Sequence, residues 1–196
     1  MTKLIKYSLV AVLLISLASC SSRKVTRVSP DQQIDLSGRW NDTDSRLTAE
    51  AMIDQSLNEK WLENFTRAHS GKEPVVIVGL VQNKSHEHID AETFIKDLEK
   101  AFINSGRVRL VQAGAKREEI RNERGDQQEF SSAETMKKWG REIGADFMLQ
   151  GTINSIVDQY NKEQVTFYQV DLELTNIETN EIVWIGDKKI KKYINK

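Results

Sequence analysis

Cysteine and proline are nearly absent from this chain. Its one cysteine is Cys20, so no disulfide can form within the molecule. The two prolines, Pro30 and Pro74, are too few for a long Pro-rich linker. Glycine-rich phosphate loops, Gly-x-Ser-x-Gly elbows and Ser-x-x-Lys motifs are missing as well, and no carboxylate stands in a pattern that marks catalysis. The sequence therefore favours a protein that is not an enzyme.

A strong charge of either sign is also missing. The formal net charge is -1, and removal of residues 1–19, which carry two lysines and no acid, would change it only to -3. Such a balance gives no reason to expect a nucleic acid as a partner. Hydrophobic residues make up 39% of the chain, which is enough for the core of one domain of this length.

The most specific motif lies at the N-terminus. Lys3 and Lys6 precede a short apolar run from Leu9 to Leu17, and two small residues then precede Cys20. The run is well short of the ~20 residues that a transmembrane helix needs. This order is typical of a bacterial lipoprotein signal peptide. We predict that residues 1–19 are removed and that Cys20 carries acyl chains, palmitate among them. No cofactor is expected besides this lipid.

Residues 20–33 are predicted to form a short, polar, lipidated tether in front of a globular domain at residues 34–196. Ser21, in place of an aspartate after the lipidated cysteine, resembles the sorting pattern of outer-membrane lipoproteins in proteobacteria. We therefore expect the lipid anchor to lie in the outer membrane.

The hydrophobic pattern predicts one α/β domain, with α+β character, built on a single mixed sheet. Runs of apolar or alternating residues predict strands over 34–40 (an edge strand), 75–81, 107–112, 146–159, 165–177 and 181–190. Apolar residues at helical spacing predict about four helices, over 42–68, 90–105, 115–124 and 131–143, with residues 125–129 as a loop. The last three strands follow one another too closely for parallel crossovers, which predicts an antiparallel meander.

Capping residues mark the expected starts of three helices. Asp42 or Asp44 is suited to the first helix, Asp90 to the second, and Ser131 with Glu134 fits a capping box for the last. The apolar faces of these helices are predicted to consist of Ile53, Leu57, Trp61 and Phe65; of Phe94, Leu98 and Phe102, ending at Gly106; and of Met136, Trp139 and Ile143.

Two polar clusters have the residue types of metal ligands. His86 and His88 flank Glu87 in a loop, and a zinc-dependent periplasmic enzyme would use such imidazoles. The pattern lacks a distal ligand pair, so a solvated polar loop without a metal is the favoured interpretation. Residues 41–45 resemble the start of a calcium loop, but they lack its glycine and its distal glutamate. Helix capping accounts for them better.

The C-terminus is basic. Five lysines occur near the end of the chain, namely Lys188, Lys189, Lys191, Lys192 and Lys196. Lysines on an edge strand prevent pairing with other sheets, and this interpretation is favoured. A contact with an acidic partner or an anionic envelope polymer is the alternative.

Four segments, in this order and spacing, resemble the LpoB-type activators of penicillin-binding proteins over roughly residues 34–190. They are residues 35–44, 78–85, 144–151 and 179–186. The resemblance implies an outer-membrane lipoprotein that faces the periplasm and has no catalysis of its own. It also implies that the protein binds a class A (bifunctional) penicillin-binding protein and stimulates glycan polymerisation and cross-linking, in peptidoglycan synthesis.

The partner-binding residues are predicted to lie in the loop after the strand at 75–81. Polar loops at the end of a rigid strand commonly carry recognition, so Asn83, Lys84 and Ser85 are our candidates. A monomer is expected for such an activator. The alternative is a structural lipoprotein of an envelope secretion or assembly complex, as in curli secretion, for which a stable homo-oligomer is expected.

Overall fold

The computed structural model describes residues 24–130 and 142–195. The chain divides into two units, Met1–Gln33 and Ile34–Lys196. In the first unit, residues 24–33 are exposed and contain a turn in which the Ser29 carbonyl accepts a 3.0 Å hydrogen bond from the N–H of Gln32.

The described helices and strands all belong to the second unit. The helices are α1 (Asp42–Leu57), α2 (Lys60–Ala68), α3 (Ala91–Ser105) and α4 (Gly114–Phe130). The strands are β1 (Val75–Asn83), β2 (Arg109–Leu110), β3 (Phe147–Tyr160), β4 (Glu163–Asn176) and β5 (Ile182–Asn195).

The strands form one mixed sheet in the order β2-β1-β3-β4-β5. Strand β1 runs parallel to both β2 and β3, whereas β3, β4 and β5 form an antiparallel meander. This confirms the predicted fold class and the meander. Helices α1 and α3 pack against each other and cover one face of the sheet. The largest side chains enclosed there are Tyr168, Phe94, Phe102, Met52, Ile53, Leu98, Leu149, Ile153, Leu172 and Leu174.

Helix α3 has the boundaries and the buried face predicted from the sequence. The Asp90 carboxylate accepts hydrogen bonds from two N–H groups of the first turn, and Gly106 ends the helix with φ +60°. Phe94, Leu98 and Phe102 are completely buried.

The N-cap of α1 is Asn41, and neither of the predicted aspartates takes this position. The Asn41 side chain accepts from the N–H of Asp44, and the Asp44 carboxylate accepts from the N–H of Asn41, both at 3.0 Å. This reciprocal capping box satisfies two N–H groups at the helix start, including the one on the cap itself. The polar residues that resemble the start of a calcium loop thus serve to begin a helix.

The single helix predicted over 42–68 is two helices, and that prediction was wrong. Asn58 and Glu59 separate α1 from α2, and Glu59 is extended. The indole N–H of Trp61 donates a 2.7 Å hydrogen bond to the carbonyl of Ser56, which also accepts from the N–H of Glu59 at 3.2 Å. Ile53, Leu57 and Trp61 are all buried, so their four-residue spacing continues through the break.

The predicted edge strand over 34–40 is not a strand. Gly38 has φ +68°, and the Ser37 hydroxyl accepts from the N–H of Arg39, so the chain turns locally here. The N–H of Trp40 donates to Glu87 at 3.1 Å, a side-chain acceptor outside the sheet. These hydrogen bonds take the place of the backbone hydrogen bonds to a neighbouring strand that a β-strand would make.

Other boundaries also differ from prediction: β1 continues past residue 81 to Asn83, and β5 continues past residue 190 to Asn195. Strand β2 is limited to Arg109–Leu110, and α4 continues through residues 125–129, which were expected to be a loop. The Gly125 position does not end α4 because an isolated glycine costs a helix only ~1 kcal/mol. Most of the predicted helix at 131–143 lies outside the described residues, and residues 142–145 are irregular.

Candidate functional surface

The loop after β1 is organised by one side chain, Asn83. Its amide nitrogen donates to the carbonyls of Glu87 at 2.8 Å and Ile89 at 3.3 Å. Its amide oxygen accepts from the N–H of Ser85 at 2.9 Å and from the Ser85 hydroxyl at 2.6 Å. The loop is therefore a fixed structure, and its exposed side chains project from a rigid base.

The structure brings the predicted partner-binding residues Asn83, Lys84 and Ser85 together but gives them different surroundings. Asn83 and Ser85 are partly buried and direct their polar groups into the loop. The backbone N–H of Lys84 donates a 2.8 Å hydrogen bond to the carbonyl of Ile153, and the Lys84 side chain is exposed. Lys84 is thus the member of the three that a partner can reach most readily.

The histidines of the same loop have separate environments. The N–H of His86 donates to the hydroxyl of Ser155 at 2.9 Å, and Nδ1 of its ring lies 3.1 Å from the same oxygen. Across residues 24–130 and 142–195, no group of three or more His, Cys, Asp or Glu side chains is placed to hold a metal ion. His86 fastens the loop to β3, and the His88 ring is exposed.

Glu87 turns inward and joins three parts of the fold. Its carboxylate accepts from the Tyr168 hydroxyl on β4 at 2.7 Å and from the N–H of Trp40 at 3.1 Å. The Trp40 ring packs edge-on against Tyr168, with centroids 5.6 Å apart. Burial and the hydrogen bond to Glu87 raise the pKa of Tyr168 well above its usual value. This clamp was not predicted, because the residues are distant in sequence.

A second clamp joins the start of the domain to its last strand. Lys192 on β5 donates to Asp35 at 2.8 Å and to the Arg39 carbonyl at 2.9 Å, and it lies 2.5 Å from Asp44. Burial lowers the pKa of Lys192, but the hydrogen bonds to Asp35 and Asp44 raise it more, so the net direction is upward. The predicted edge position of the lysines is confirmed for β5. Lys192 itself is mostly buried and pairs with acids of its own chain.

The outer face of the sheet, defined as the side of β3–β5 opposite α1 and α3, carries a polar centre. Thr152, Asp171 and Asp187 are aligned across three strands, as are Asn154, Gln169 and Lys189. Asn154 and Gln169 donate to the two oxygens of Asp171 at 3.2 and 2.6 Å. The side chains of this centre are therefore held in place by one another.

Exposed apolar side chains lie at both ends of β3–β5. Near the β3–β4 turn they are Ile156, Tyr160 and Tyr193, which are 65%, 76% and 62% exposed. At the other end, Ile182 and Ile185 are 55% and 64% exposed. Each of these two apolar groups borders the polar centre, and exposed apolar patches bordered by polar residues mark interaction surfaces.

The fold is a single domain of mixed α/β type, and it presents this outer face as its candidate contact surface. The sequence model of the family described as peptidoglycan-synthase activator LpoB matches residues 44–190, which is well over half of the chain. The chain belongs to the LpoB family of peptidoglycan-synthase activators, and the predicted resemblance is confirmed. The family consists of envelope lipoproteins that activate synthases rather than of enzymes.

Solved structures similar to this chain include two LpoB C-terminal domains. The one from Escherichia coli is 18% identical with a TM-score of 0.45, and the match covers 78% of this chain and 99% of that chain. The one from Salmonella enterica is 17% identical with a TM-score of 0.44, covering 75% and 98%. Lipoprotein GNA1162 from Neisseria meningitidis is 14% identical with a TM-score of 0.40, covering 61% and 83%. A comparison with curated proteins gives no match.

In the part of the chain that the structure describes, no helix combines the length and the apolar character needed to cross a membrane.

Proposed function

We propose that this protein is an outer-membrane lipoprotein, anchored through acyl chains on Cys20, that binds and activates a class A penicillin-binding protein from the periplasmic side. The observation that carries the proposal is the family match over residues 44–190. The N-terminal order of basic residues, short apolar run and Cys20 supports the lipid anchor. No observation on the described residues favours the alternative role in a secretion complex.

The proposed contact surface combines the loop after β1 with the outer face. The loop meets β3 at Ile153 and Ser155, which alternate with Asn154 and Ile156 of the outer face. Lys84 supplies an exposed positive charge at this boundary, and the rigid loop lowers the entropy cost of binding. The surface presents its groups to a partner without prior rearrangement.

Activation through such a surface requires coupling to the synthase. A protein without catalysis of its own can raise a partner's rate only if it binds the active conformation more tightly than the resting one. Residues 21–33, fully extended, span at most ~45 Å. The lipid anchor therefore sets a limited distance within which the synthase must present its binding site.

The test uses the mature lipoprotein in detergent with each class A synthase of the same organism. Surface plasmon resonance measures binding, and incorporation of labelled lipid II measures glycan polymerisation. We expect saturable binding to one synthase and a higher rate of polymerisation. Failure to bind and to stimulate every class A synthase of the organism would contradict the proposal.

The role of the loop is tested with Lys84→Glu. Reversal of a charge at the rim of an interface should weaken binding by roughly three- to tenfold, mainly through the association rate. Lys72→Glu is the matched control, because Lys72 is equally exposed but precedes β1 at the opposite end of that strand. If the two substitutions weakened binding equally, we would conclude that the loop is not part of the interface. The proposed activator role would not be affected.

A further inference from the structure

Strand β1 has an open edge along most of its length. Strand β2 pairs only with Val75 and Val76, whereas β3 pairs with β1 as far as Asn83. Within the described residues, positions 77–83 therefore have a strand partner on one side only. The backbone N–H and C=O groups on the other side of such a strand are a template for a further strand.

A groove of about 390 Å³ lies along this edge where β2 would have continued. We call it the edge groove, and its apolar lining residues are Val78, Leu80, Ile95, Ala113 and Ala115. Leu80 is 59% exposed, although the first four residues of the same strand are buried. Helix α3 forms one wall, and the chain entering α4 lines the groove as well.

The exposure of Leu80 results from a β-bulge. The register between β1 and β3 shifts between Val78 and Val81, and Leu80 lies within that shift. Gly79 is enclosed at this point, since an added Cβ would lie 3.1 Å from Gln150 and 3.2 Å from Met148. A register shift of this kind redirects side chains, and Leu80 lines both the edge groove and a hollow on the outer face beside Gln150 and Thr152.

The charges around the edge groove cancel one another. Lys116 at the start of α4 lies 3.7 Å from Glu92 on α3, and Lys96 pairs with Glu99 on the same helix. The rim thus carries equal numbers of positive and negative groups, already paired, over an apolar floor. Charge complementarity therefore favours an uncharged, apolar side chain as the occupant and disfavours a phosphate, a nucleotide or an acidic polymer.

We infer that the edge of β1 at residues 78–83 is a strand-addition site for an extended segment of the synthase, whose apolar side chain occupies the edge groove; this inference rests on the proposed function. An open strand edge beside a helix is the usual geometry for such recognition, in which backbone bonds supply affinity and a side-chain pocket supplies selectivity. Residues 112–116 line the groove beside β1, and the occupant that we infer is one extended strand.

The first test is amide hydrogen exchange of the mature lipoprotein with and without the synthase that it binds. Strand addition protects backbone N–H groups, so exchange at residues 78–83 should slow on binding. The same segment at the exposed surface of the free protein should exchange independently of protein concentration. Protection that rises with concentration in the absence of synthase would assign the edge to a second copy of this chain and overturn the inference.

The second test is substitution in the groove. Leu80→Glu places a charge on the apolar floor at a side chain that is already 59% exposed, and Ala115→Glu fills the groove from the side lined by α4. Each should weaken synthase binding about tenfold or more, as expected for an anchoring contact. Leu47→Glu is the matched control, since Leu47 is a leucine of α1 that is 47% exposed.

The outcomes separate the two proposals. Normal binding by both groove variants, with unchanged exchange at residues 78–83, overturns the strand-addition site and leaves the activator role standing. Absence of binding by the unaltered lipoprotein overturns the proposed function and, with it, the inference that rests on it.

Discussion

The hydroxyl of Tyr168 donates a 2.7 Å hydrogen bond to the carboxylate of Glu87, although 81 positions separate the two residues in the chain. Tyr168 is completely buried in the core, and Glu87 belongs to the surface loop proposed to face the synthase. The bond therefore connects the most enclosed aromatic side chain of the sheet to the base of that loop. It explains why the loop has a defined position.

The energy of this connection can be measured by a double-mutant cycle. Glu87→Ala leaves the buried Tyr168 hydroxyl without its acceptor and should lower the free energy of unfolding by about 1–3 kcal/mol. Combined with Tyr168→Phe, the loss should be less than additive, with a coupling of about 0.5–3 kcal/mol. Urea denaturation measures all three variants. Glu119→Ala on exposed α4 is the control, and strictly additive losses would show that the bond contributes nothing.

Removal of Lys192 should destabilise the domain more than removal of its neighbour Lys191. Lys192→Met removes the cation that Asp35 and Asp44 share, at an expected cost of about 1–3 kcal/mol. Lys191 is exposed, so Lys191→Met should stay within about 0.5 kcal/mol of the unaltered protein. Chemical denaturation of the two variants provides the comparison. Similar losses for both would contradict a structural role of the clamp at Lys192.

Stability should fall at alkaline pH. The folded state raises the pKa of Tyr168 through burial and its bond to Glu87, and the net shift of the Lys192 pKa is also upward. Groups with raised pKa hold their protons more tightly when folded, so their contribution is complete below the unfolded values of about 10. It is lost as pH rises through the folded values.

Denaturation at pH 8, 10 and 11 tests this dependence. The unaltered protein should lose stability above about pH 10, with a slope of up to ~1.4 kcal/mol per pH unit for each proton. The variant with both Tyr168→Phe and Lys192→Met should show a shallower slope over the same range. An unchanged slope would assign the alkaline transition to other groups.

Two glycine substitutions should change the free energy of unfolding in opposite directions. A Cβ at Gly151 would collide with the Asp171 carbonyl and Leu172 of the neighbouring strand, so Gly151→Ala should cost about 1–3 kcal/mol. Gly125 lies inside α4 with nothing within 4 Å of an added Cβ, so Gly125→Ala should stabilise the helix by about 0.5–1 kcal/mol. Thermal unfolding measures both. A stabilising Gly151→Ala would mean that β3 and β4 approach less closely than described.

Cys20→Ser should abolish lipidation. Cells fed labelled palmitate should transfer label to the unaltered protein, while the variant should stay unlabelled because it lacks the thiol that would carry the acyl chain. Ser21→Ala is a matched control beside the same site and should be labelled normally. Label on the Cys20→Ser variant would place the acylation elsewhere.

The sequence was most informative where a local pattern alone decides the structure. Asp90, the apolar face of α3 and Gly106 predicted that helix correctly, since capping and periodicity act over a few neighbouring residues. The meander followed from alternation and short connections. The same reasoning failed at Asn58, because the four-residue spacing of apolar positions is equally compatible with one helix or two.

The candidate surface was predicted only in part. The loop after β1 could be placed from its polar residues, but the assignment of Asn83 and Ser85 to its interior depends on hydrogen bonds that no spacing indicates. The segment at 34–40 was expected to be a strand because its alternation is strand-like. Its backbone instead bonds to Glu87, a residue far along the chain.

The sequence by itself determined the N-terminal lipoprotein motif, the fold class and the family. The motif depends on neighbouring residues, the fold class on the period of the apolar positions, and the family on the order of short local segments. The tertiary structure alone decided which polar side chains support the fold and which remain exposed to a partner. It also decided that β2 stops after Leu110, so that β2 pairs only with Val75 and Val76 and, within residues 24–130 and 142–195, the rest of that edge of β1 has no strand partner. The physical reason is that hydrogen bonds, burial and strand pairing depend on groups brought together by folding, and their distance along the chain gives no sign of it.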